Sequence, residues 1–229
     1  MRNGIVTIIV ILLLSLSACS TLTPEQEAQA QVKRDVIVSS QYFQPFFQHA
    51  HVAYYPKKLA LLVFKKSRVL QVYAKDSAHW SYINQFPIKA ASGHAGPKLH
   101  VGDRQVPEGI YRITMLNPMS NFDLSMQVNY PNAFDRRWAK VTGRHHLGDD
   151  IFIHGGHRSI GCVAIGNWAI QRLYPLVKKV GLSNVVVVIA PEDFRKDATF
   201  SLPHAPRWLP ILYTNIALEL SRFPEPQTV

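Results

Sequence analysis

The sequence predicts a mostly β domain with a few helices, an α+β fold. Short apolar runs bounded by turn residues recur along the chain, as at Leu59 to Phe64, Arg68 to Ala74 and Gly109 to Thr114. Val185 to Ile189 is apolar without alternation, which is typical of a strand buried on both faces. One stretch, Asn167 to Val180, instead repeats its apolar residues at helical spacing. Strands therefore outnumber helices.

The first strands and the long middle of the chain follow from turn chemistry. The polar turn Lys65 to Ser67 joins the first two strands into a hairpin, and Trp80 to Lys89 continues the β pattern. Ala90 to Pro107 is rich in Gly and Pro and is expected to be mostly loop. Asn117 to His146 carries repeated turn signals and is expected to be irregular. Ile151 to Ile153 is a short apolar strand.

Helical segments are expected at the two ends and after the last short strand. Pro175 lies inside the predicted helix at Asn167 to Val180, so that helix should kink or end early. Thr21 to Gln31 is polar and reads as a short tether or a lead-in helix. Residues 203–229 hold five prolines and one helical stretch near Ile211 to Phe223, which should wrap the domain surface.

The first eighteen residues read as an export signal. Arg2 is followed by the apolar run Ile5 to Leu14, and Leu16 to Ala18 precedes Cys19. This pattern resembles a bacterial lipobox, in which the cysteine becomes the lipid-carrying first residue. It implies a lipid-anchored protein on the periplasmic side of the cell envelope, and by resemblance Ser20 favours the outer membrane. The alternative is an ordinary cleaved signal that contains a cysteine.

The chain is basic, with 25 Lys and Arg against 15 Asp and Glu and a formal net charge of +10. Such a surface attracts polyanions. No nucleic-acid-binding motif accompanies the charge, so nucleic acid is not predicted as a partner. For an envelope protein the nearer polyanions are the cell wall and anionic lipid head groups.

Cys162 is the residue that points to chemistry. The sequence holds two cysteines, and lipidation of Cys19 would leave Cys162 as an unpaired thiol in an exported protein. His154 lies eight residues upstream, where it could act as a base or form a thiolate–imidazolium pair. The carbonyl of Gly155 could orient the imidazole, and amides near Gly161 could form an oxyanion hole. The pattern favours nucleophilic catalysis over an inert core cysteine.

The surrounding residues resemble a known family. Ser159 to Asn167 resembles the Ser-His-Gly-Cys-x-x-x-x-Asn signature of the L,D-transpeptidase (YkuD-type) catalytic domain. Leu173 and Tyr174 match a Leu-Tyr pair in the helix that follows. Upstream, Gly102 to Ile113 resembles the family's segment in which Pro and Gly precede a strand with an aromatic residue. The resemblance covers roughly residues 59–190.

The resemblance implies a β-sandwich-like L,D-transpeptidase domain that acts on peptidoglycan stem peptides by two-step acyl transfer. Cys162 would be the nucleophile, His154 the general base and acid, Gly155 the orienting carbonyl and Gly161 part of the oxyanion region. Neither step needs a metal or a cofactor. The implied organisation is a signal peptide at 1–18, a tether and N-terminal extension at 19–58, the catalytic domain at 59–190 and a packed C-terminal extension at 191–229.

Two departures from the family pattern keep a second activity open. Ile160 stands where the family has His, and Ala164 stands where Arg is common. The short spacing between His154 and Cys162 resembles a branch in which some members are hydrolases that cleave wall cross-links or release a lipoprotein from peptidoglycan. Substrate contacts are expected from four polar side chains near the motif. They are Arg104, Arg158, Ser159 and Asn167.

Two other readings use the same residues. One is a non-catalytic envelope lipoprotein that binds peptidoglycan and keeps Cys162 buried and unreactive. The other is a metal site formed by His154 and His157 with the nearby His145 and His146. The histidine pair lies on a glycine loop and no carboxylate completes a known ligand spacing, so no metal is predicted.

Overall fold

The computed structural model describes residues 22–196 and 205–226. The predicted signal and Cys19 lie outside the described residues. Within the described part the chain forms four α-helices and nine strands. In chain order they are α1 Pro24–His49, β1 Lys58–Phe64, β2 Val69–Lys75, β3 Ser81–Pro87, β4 Ala90–Ala91, β5 Gly109–Ser120, β6 Asp123–Val128, α2 Ala133–Val141, β7 Phe152–His154, β8 Val163–Ala164, α3 Asn167–Val180, β9 Val185–Ala190 and α4 Leu209–Leu220.

The nine strands form one mixed sheet in the order β3-β2-β1-β9-β5-β6-β7-β8-β4. Two neighbouring pairs are parallel, β1 with β9 and β7 with β8, and the others are antiparallel. β5 belongs to both halves of the sheet, because Gly109–Arg112 pairs with β9 and the rest of the strand pairs with β6. The structure confirms the predicted α+β class.

The central strand β1 is buried on both faces, which explains its unbroken apolar sequence. Its odd-numbered residues, such as Leu61 and Val63, join a core shared with α1 and α3. Its even-numbered residues, such as Leu62 and Phe64, join a second core completed by α4. This is the period of two that a pleated strand imposes on its side chains. The C-terminal helix α4 therefore covers one face of the sheet at β1.

The segment that reads as a tether or a lead-in helix begins the long helix α1. Thr23 and Gln26 form a reciprocal capping box at its start, and Pro24 occupies the first helical position. Ser39 Oγ donates a 2.7 Å hydrogen bond to the carbonyl of Arg172, which ties α1 to α3. The N-terminal extension is thus packed helix over most of its described length.

The expectation that Asn117 to His146 is irregular is wrong. The end of β5, all of β6 and the helix α2 lie within this range. The turn signals are real, but they mark a short hairpin turn and a helix start rather than a long loop. Asn132, for example, caps α2 by accepting a 3.0 Å hydrogen bond from the amide of Asp135.

Of the two outcomes expected for Pro175, a kink or an early end of the helix, the early end does not occur. α3 runs to Val180, and Pro175 is buried with its neighbours Tyr174 and Leu176. Burial of this apolar face offsets the hydrogen bond that a proline removes from a helix. Near the C-terminus, α4 covers most of the helix predicted at Ile211 to Phe223. Among the described residues no helix is long and apolar enough to cross a membrane.

A buried ion pair joins the sheet to the loop before β5. Lys65 Nζ lies 2.9 Å from Glu108 Oε1, and Glu108 also accepts hydrogen bonds from the Gly96 amide and the Tyr213 hydroxyl, each at 2.8 Å. Lys65 Nζ donates further to the carbonyls of Gly96 and Val106, both at 3.0 Å. This ion pair therefore connects β1, the 96–108 loop and α4.

We expect Glu108→Ala to lower the free energy of unfolding by about 3–5 kcal/mol, because it leaves the Lys65 ammonium buried without its partner. Glu192→Ala is the matched control, since its pair with Lys66 is largely exposed on the lysine side and should contribute about 0–1 kcal/mol. Urea unfolding of the three proteins measures both values. Equal losses in the two variants would contradict a special role for the buried pair.

Candidate active site

The register of β7 and β8 places His154 and Cys162 on the same face of the sheet. These strands are parallel, with Ile153 opposite Val163 and His154 opposite Ala164. Continuing the register by one residue brings Cys162 opposite Phe152, and side chains alternate along a strand, so Phe152, His154 and Cys162 project together. His154 and Cys162 line the same two clefts.

The larger cleft has a volume of ≈ 750 Å³, which is the size of a typical small-molecule site. Its walls come from the 98–104 loop, the 148–152 segment and the turn before Cys162. The smaller cleft, ≈ 220 Å³, lies against the tip of the β5–β6 hairpin. Phe122 at that tip borders both clefts and contacts the His154 ring in a tilted arrangement, with 4.6 Å between the ring centroids and 38° between the ring planes.

The sulfur of Cys162 lies between two backbone groups. Sγ donates to the carbonyl of Asp150 at 3.6 Å, and the backbone of Phe152 forms a hydrogen bond that lowers the thiol pKa. Burial is the larger effect and raises the pKa of Cys162 above its ordinary value, with the Asp150 carboxylate adding to the increase. The resting group is a neutral thiol.

His154 is held in one tautomer. Its Nδ1 lies 2.5 Å from the carbonyl oxygen of Gly155. A carbonyl only accepts hydrogen bonds, so Nδ1 carries the proton and Nε2 is the basic nitrogen. Burial lowers the pKa of His154 below its ordinary value, which keeps the ring neutral. The resting structure therefore holds a neutral thiol and a neutral imidazole, which differs from the thiolate–imidazolium pair suggested by the sequence.

Gly155 lies where no larger residue fits. A Cβ at this position would lie 2.3 Å from the carbonyl oxygen of Phe122 and 2.8 Å from Asn167 Oδ1. The Gly155 amide donates to the carbonyl of Leu124 at 3.1 Å, and the Gly156 amide donates to Asn167 Oδ1 at 2.6 Å. The orienting carbonyl is thus fixed by β6 on one side and by the start of α3 on the other.

Asn167 and Ser159, both expected to bind substrate, are engaged with the protein backbone. Asn167 still borders a neighbouring cleft, but its Oδ1 holds the turn after His154. Ser159 Oγ donates to the carbonyl of Cys162 at 2.6 Å and accepts from the amide of Ser92 at 3.1 Å. It also accepts from the Gly161 amide at 3.3 Å. Both side chains shape the loop that carries the cysteine.

The two arginines expected to bind substrate are exposed and border the larger cleft. Arg104 lies on the 98–104 loop and Arg158 on the turn that leads to Cys162. Unlike Ser159, whose hydroxyl is bonded to the backbone, neither arginine forms an ion pair with the described residues. Their position fits the expected contact with a carboxylate.

Sequence reasoning missed Lys98 and Phe122. Lys98 is buried beside the larger cleft, pairs with Asp103 at 2.5 Å and lowers the pKa of Cys162. Asp103 also accepts from the amides of Leu99 and His100, so it orients this loop. Nothing local in the sequence distinguishes Lys98 or Phe122, because their roles come from the loop and hairpin that carry them.

The two positions that depart from the family signature differ in exposure. Ile160 is 78% exposed and borders the larger cleft, whereas Ala164 is fully buried in β8. The larger cleft therefore carries an exposed apolar side chain where the family pattern has an imidazole. Among the described residues no three His, Cys, Asp or Glu side chains gather into a metal-binding cluster.

Comparison with protein families gives a match to the YkuD model, the L,D-transpeptidase catalytic domain, over residues 58–189. The chain belongs to this family. The matched range covers more than half of the chain and contains every residue of the candidate site described above. It differs by one residue at each end from the range 59–190 suggested by the motifs.

Sequence relatives of this L,D-transpeptidase-family domain include a protein of Escherichia coli strain K12 named "Putative L,D-transpeptidase YafK". The two are 32% identical over 117 residues, which is 50% of this chain and 45% of YafK. An Escherichia coli O157:H7 protein of the same name matches equally. The chain thus aligns with about half the length of the curated relatives it matches.

Solved structures of similar shape include Bd1075 of Bdellovibrio bacteriovorus, with 23% identity, a TM-score of 0.45 and coverage of 72% of this chain and 55% of that one. Another is Pgp2 of Campylobacter jejuni, described as a helical cell shape determining protein. It has 20% identity, a TM-score of 0.47 and coverage of 74% and 71%.

We expect Cys162 in the folded L,D-transpeptidase-family domain to react slowly with iodoacetamide at neutral pH, because burial raises the pKa of its thiol. The rate should increase with pH, with a midpoint above the ordinary value of 9.0. The same protein in denaturing urea is the control, and mass spectrometry of the Cys162 peptide separates it from Cys19. Faster alkylation of the folded form at neutral pH would show a preformed thiolate.

Proposed function

We propose that this protein is a cysteine acyltransferase that acts on L,D peptide bonds in the stem peptides of peptidoglycan. The observation that carries the proposal is the register of β7 and β8, which brings His154 and Cys162 to one face and into one cleft. The L,D-transpeptidase catalytic domain supplies the reaction class. Neither a metal nor a cofactor takes part in the proposed steps.

In the first step Nε2 of His154 takes the proton of the Cys162 thiol as the sulfur attacks the stem carbonyl. The tetrahedral intermediate then collapses, the C–N bond breaks, and His154 returns the proton to the leaving amine. A thioester on Cys162 remains. Because both groups are neutral before substrate binds, proton transfer accompanies attack rather than preceding it.

In the second step an acceptor attacks the thioester. An amine from another stem gives a new cross-link, and His154 takes its proton and returns it to the departing sulfur. The negative charge on the carbonyl oxygen would be stabilised by backbone amides near Gly161 and Cys162. In the resting structure the Gly161 amide makes only a long bond to Ser159 Oγ, which a developing oxyanion could replace.

Substrate carboxylates would be held by Arg104 and Arg158. Both are exposed on the walls of the larger cleft, and a guanidinium pairs with a carboxylate through two parallel hydrogen bonds. Stem peptides carry several carboxylates, so two exposed cations on the same cleft suit this class of substrate. Ser159 and Asn167 would contribute indirectly, by fixing the loops that carry Cys162 and Gly155.

A hydrolase of the same bonds is the second candidate, including one that releases a lipoprotein from peptidoglycan. The exposed Ile160 and the buried Ala164 favour it, because neither supplies the polar group that the family pattern places near the acceptor. Water is small and needs no binding site of that kind. Either activity belongs to the cell envelope, where we place the protein on the periplasmic side with Cys19 as its lipid anchor.

Incubation with peptidoglycan sacculi, followed by mass spectrometry of the products, distinguishes the two reactions. New cross-links between stems identify a transferase, whereas shortened stems or a released lipoprotein identify a hydrolase. Cys162→Ala should abolish turnover and thioester formation in either case, because no other group replaces the sulfur. Wild-type turnover by that variant would refute the mechanism, and inactivity of the wild type would favour a peptidoglycan-binding protein without catalysis.

The acid limb of the pH–rate profile reports the base. Burial lowers the pKa of His154 from 6.5, so the ring stays neutral, and able to accept a proton, until the pH falls below that value. We expect kcat/KM to decrease as the pH is lowered through a midpoint below 6.5, as measured with a soluble stem peptide. A midpoint above 6.5 would mean that His154 is not the titrating base.

A further inference from the structure

A second cleft lies between α1, α3 and β5, away from Cys162. Its volume is ≈ 720 Å³, within the range of small-molecule sites. α1 contributes one stripe of its surface, at helical spacing. The lining residues from α1 are Gln29, Val32, Lys33 and Val36. We call this cleft the α1–α3 groove.

The floor of the α1–α3 groove is apolar. Val32, Tyr174 and Pro175 are buried beneath it, and Leu116 and Pro118 of β5 form one wall. A bound peptide would need partners for its amide and carbonyl groups. Apart from the lysines, the lining side chains offer polar atoms only at Gln29, Tyr55 and Tyr174. An acyl chain has no such groups and suits this floor better.

The rim of the α1–α3 groove is cationic. Lys33, Lys178 and Lys179 are exposed on it, and no lining residue is acidic. Within the described part of the chain none of the three lysines forms an ion pair. Lys179 Nζ lies 5.5 Å from the centre of the Tyr55 ring. The backbone of Tyr55 has an unusual positive φ of 36°. Apolar floor and cationic rim together match a ligand with an apolar body and an anionic end.

The outer surface of α1 points to a membrane as the source of that ligand. Val36 on the groove is 38% exposed, and the adjacent Ile37 is 59% exposed. Exposed apolar side chains flanked by lysines are typical of a helix that lies against an anionic lipid surface. The sequence also predicts a lipid anchor at Cys19, a few residues before the start of α1, which would keep this helix close to the bilayer.

We propose that the α1–α3 groove binds an anionic phospholipid of the membrane, with an acyl chain on the apolar floor and the head group between Lys33, Lys178 and Lys179. This site is distinct from the catalytic cleft and does not depend on the proposed reaction. It nevertheless shares the strand β5 with the smaller of the two clefts beside Cys162. Leu116 and Pro118 of β5 face the groove, whereas Asn117 and Met119 line the smaller cleft beside Cys162.

Native mass spectrometry of the full chain in a nonionic detergent tests the proposal, with dioleoylphosphatidylglycerol as the anionic probe and dioleoylphosphatidylcholine as the zwitterionic one. We expect one bound phosphatidylglycerol per chain and weaker binding of phosphatidylcholine. Each lysine near an anionic head group contributes roughly five-fold in affinity, so K178Q/K179Q should bind phosphatidylglycerol about 25-fold more weakly. Val36→Asp should weaken binding of both lipids, because it places a charge on the apolar wall.

The matched control is K57Q/K58Q, which removes two adjacent exposed lysines outside the groove and should bind as the wild type does. Circular dichroism checks that all variants are folded. Equal phosphatidylglycerol binding by the wild type and K178Q/K179Q would overturn the proposal. So would the absence of lipid binding by the wild type, and a mass of two chains in that spectrum would identify a second copy as the occupant instead.

Discussion

The buried pair between Lys65 and Glu108 is the constraint on which the site depends. Lys65 lies directly after β1, and its amide donates to the carbonyl of Ala190 at the end of β9. Through Glu108 it also holds the 96–108 loop and the Tyr213 hydroxyl of α4. The same loop carries Lys98 and Arg104 into the larger cleft. An ion pair outside the larger cleft thus fixes one wall of the candidate active site.

The protonation states at the site follow from burial of Cys162 and His154 rather than from a preformed thiolate–imidazolium pair. Burial favours the neutral forms of both Cys162 and His154. The Asp150 carbonyl accepts from the thiol, and the backbone of Phe152 provides a hydrogen bond that suits the thiolate. The thiol and the thiolate of Cys162 therefore each have a backbone partner, the Asp150 carbonyl for the thiol and the Phe152 backbone for the thiolate. A cysteine in this environment resists oxidation as long as its thiol stays protonated.

The sequence allowed much of the fold and the central pair of the site to be predicted. Apolar runs such as Val185 to Ile189 identify buried strands because all five successive residues are apolar, and glycine neighbours single out Cys162 and His154. The Gly155 carbonyl beside His154 Nδ1 also lies where the sequence suggested. These features depend on residues close together in the chain.

What could not be predicted depends on residues far apart in the chain. Phe122 contacts His154 only because β6 pairs with β7, and the hairpin that carries it was hidden by turn residues between Asn117 and His146. Ser159 and Asn167 are polar residues near a nucleophile, which suggests substrate contacts. Their partners, Ser92 and Gly156, become neighbours only after the chain folds.

The long strand β5 is regular in one half and irregular in the other. Gly109–Arg112 pairs without interruption against β9, but the pairing with β6 shifts between Ile113 and Met115 and again between Asn117 and Ser120. Interrupted ladders have fewer bonds to break, so they open at a lower free energy than the core strands. The half that leads to Phe122 is therefore expected to open at a lower free energy than the half paired with β9. One strand thus joins the irregular edge of the candidate site to the regular centre of the sheet.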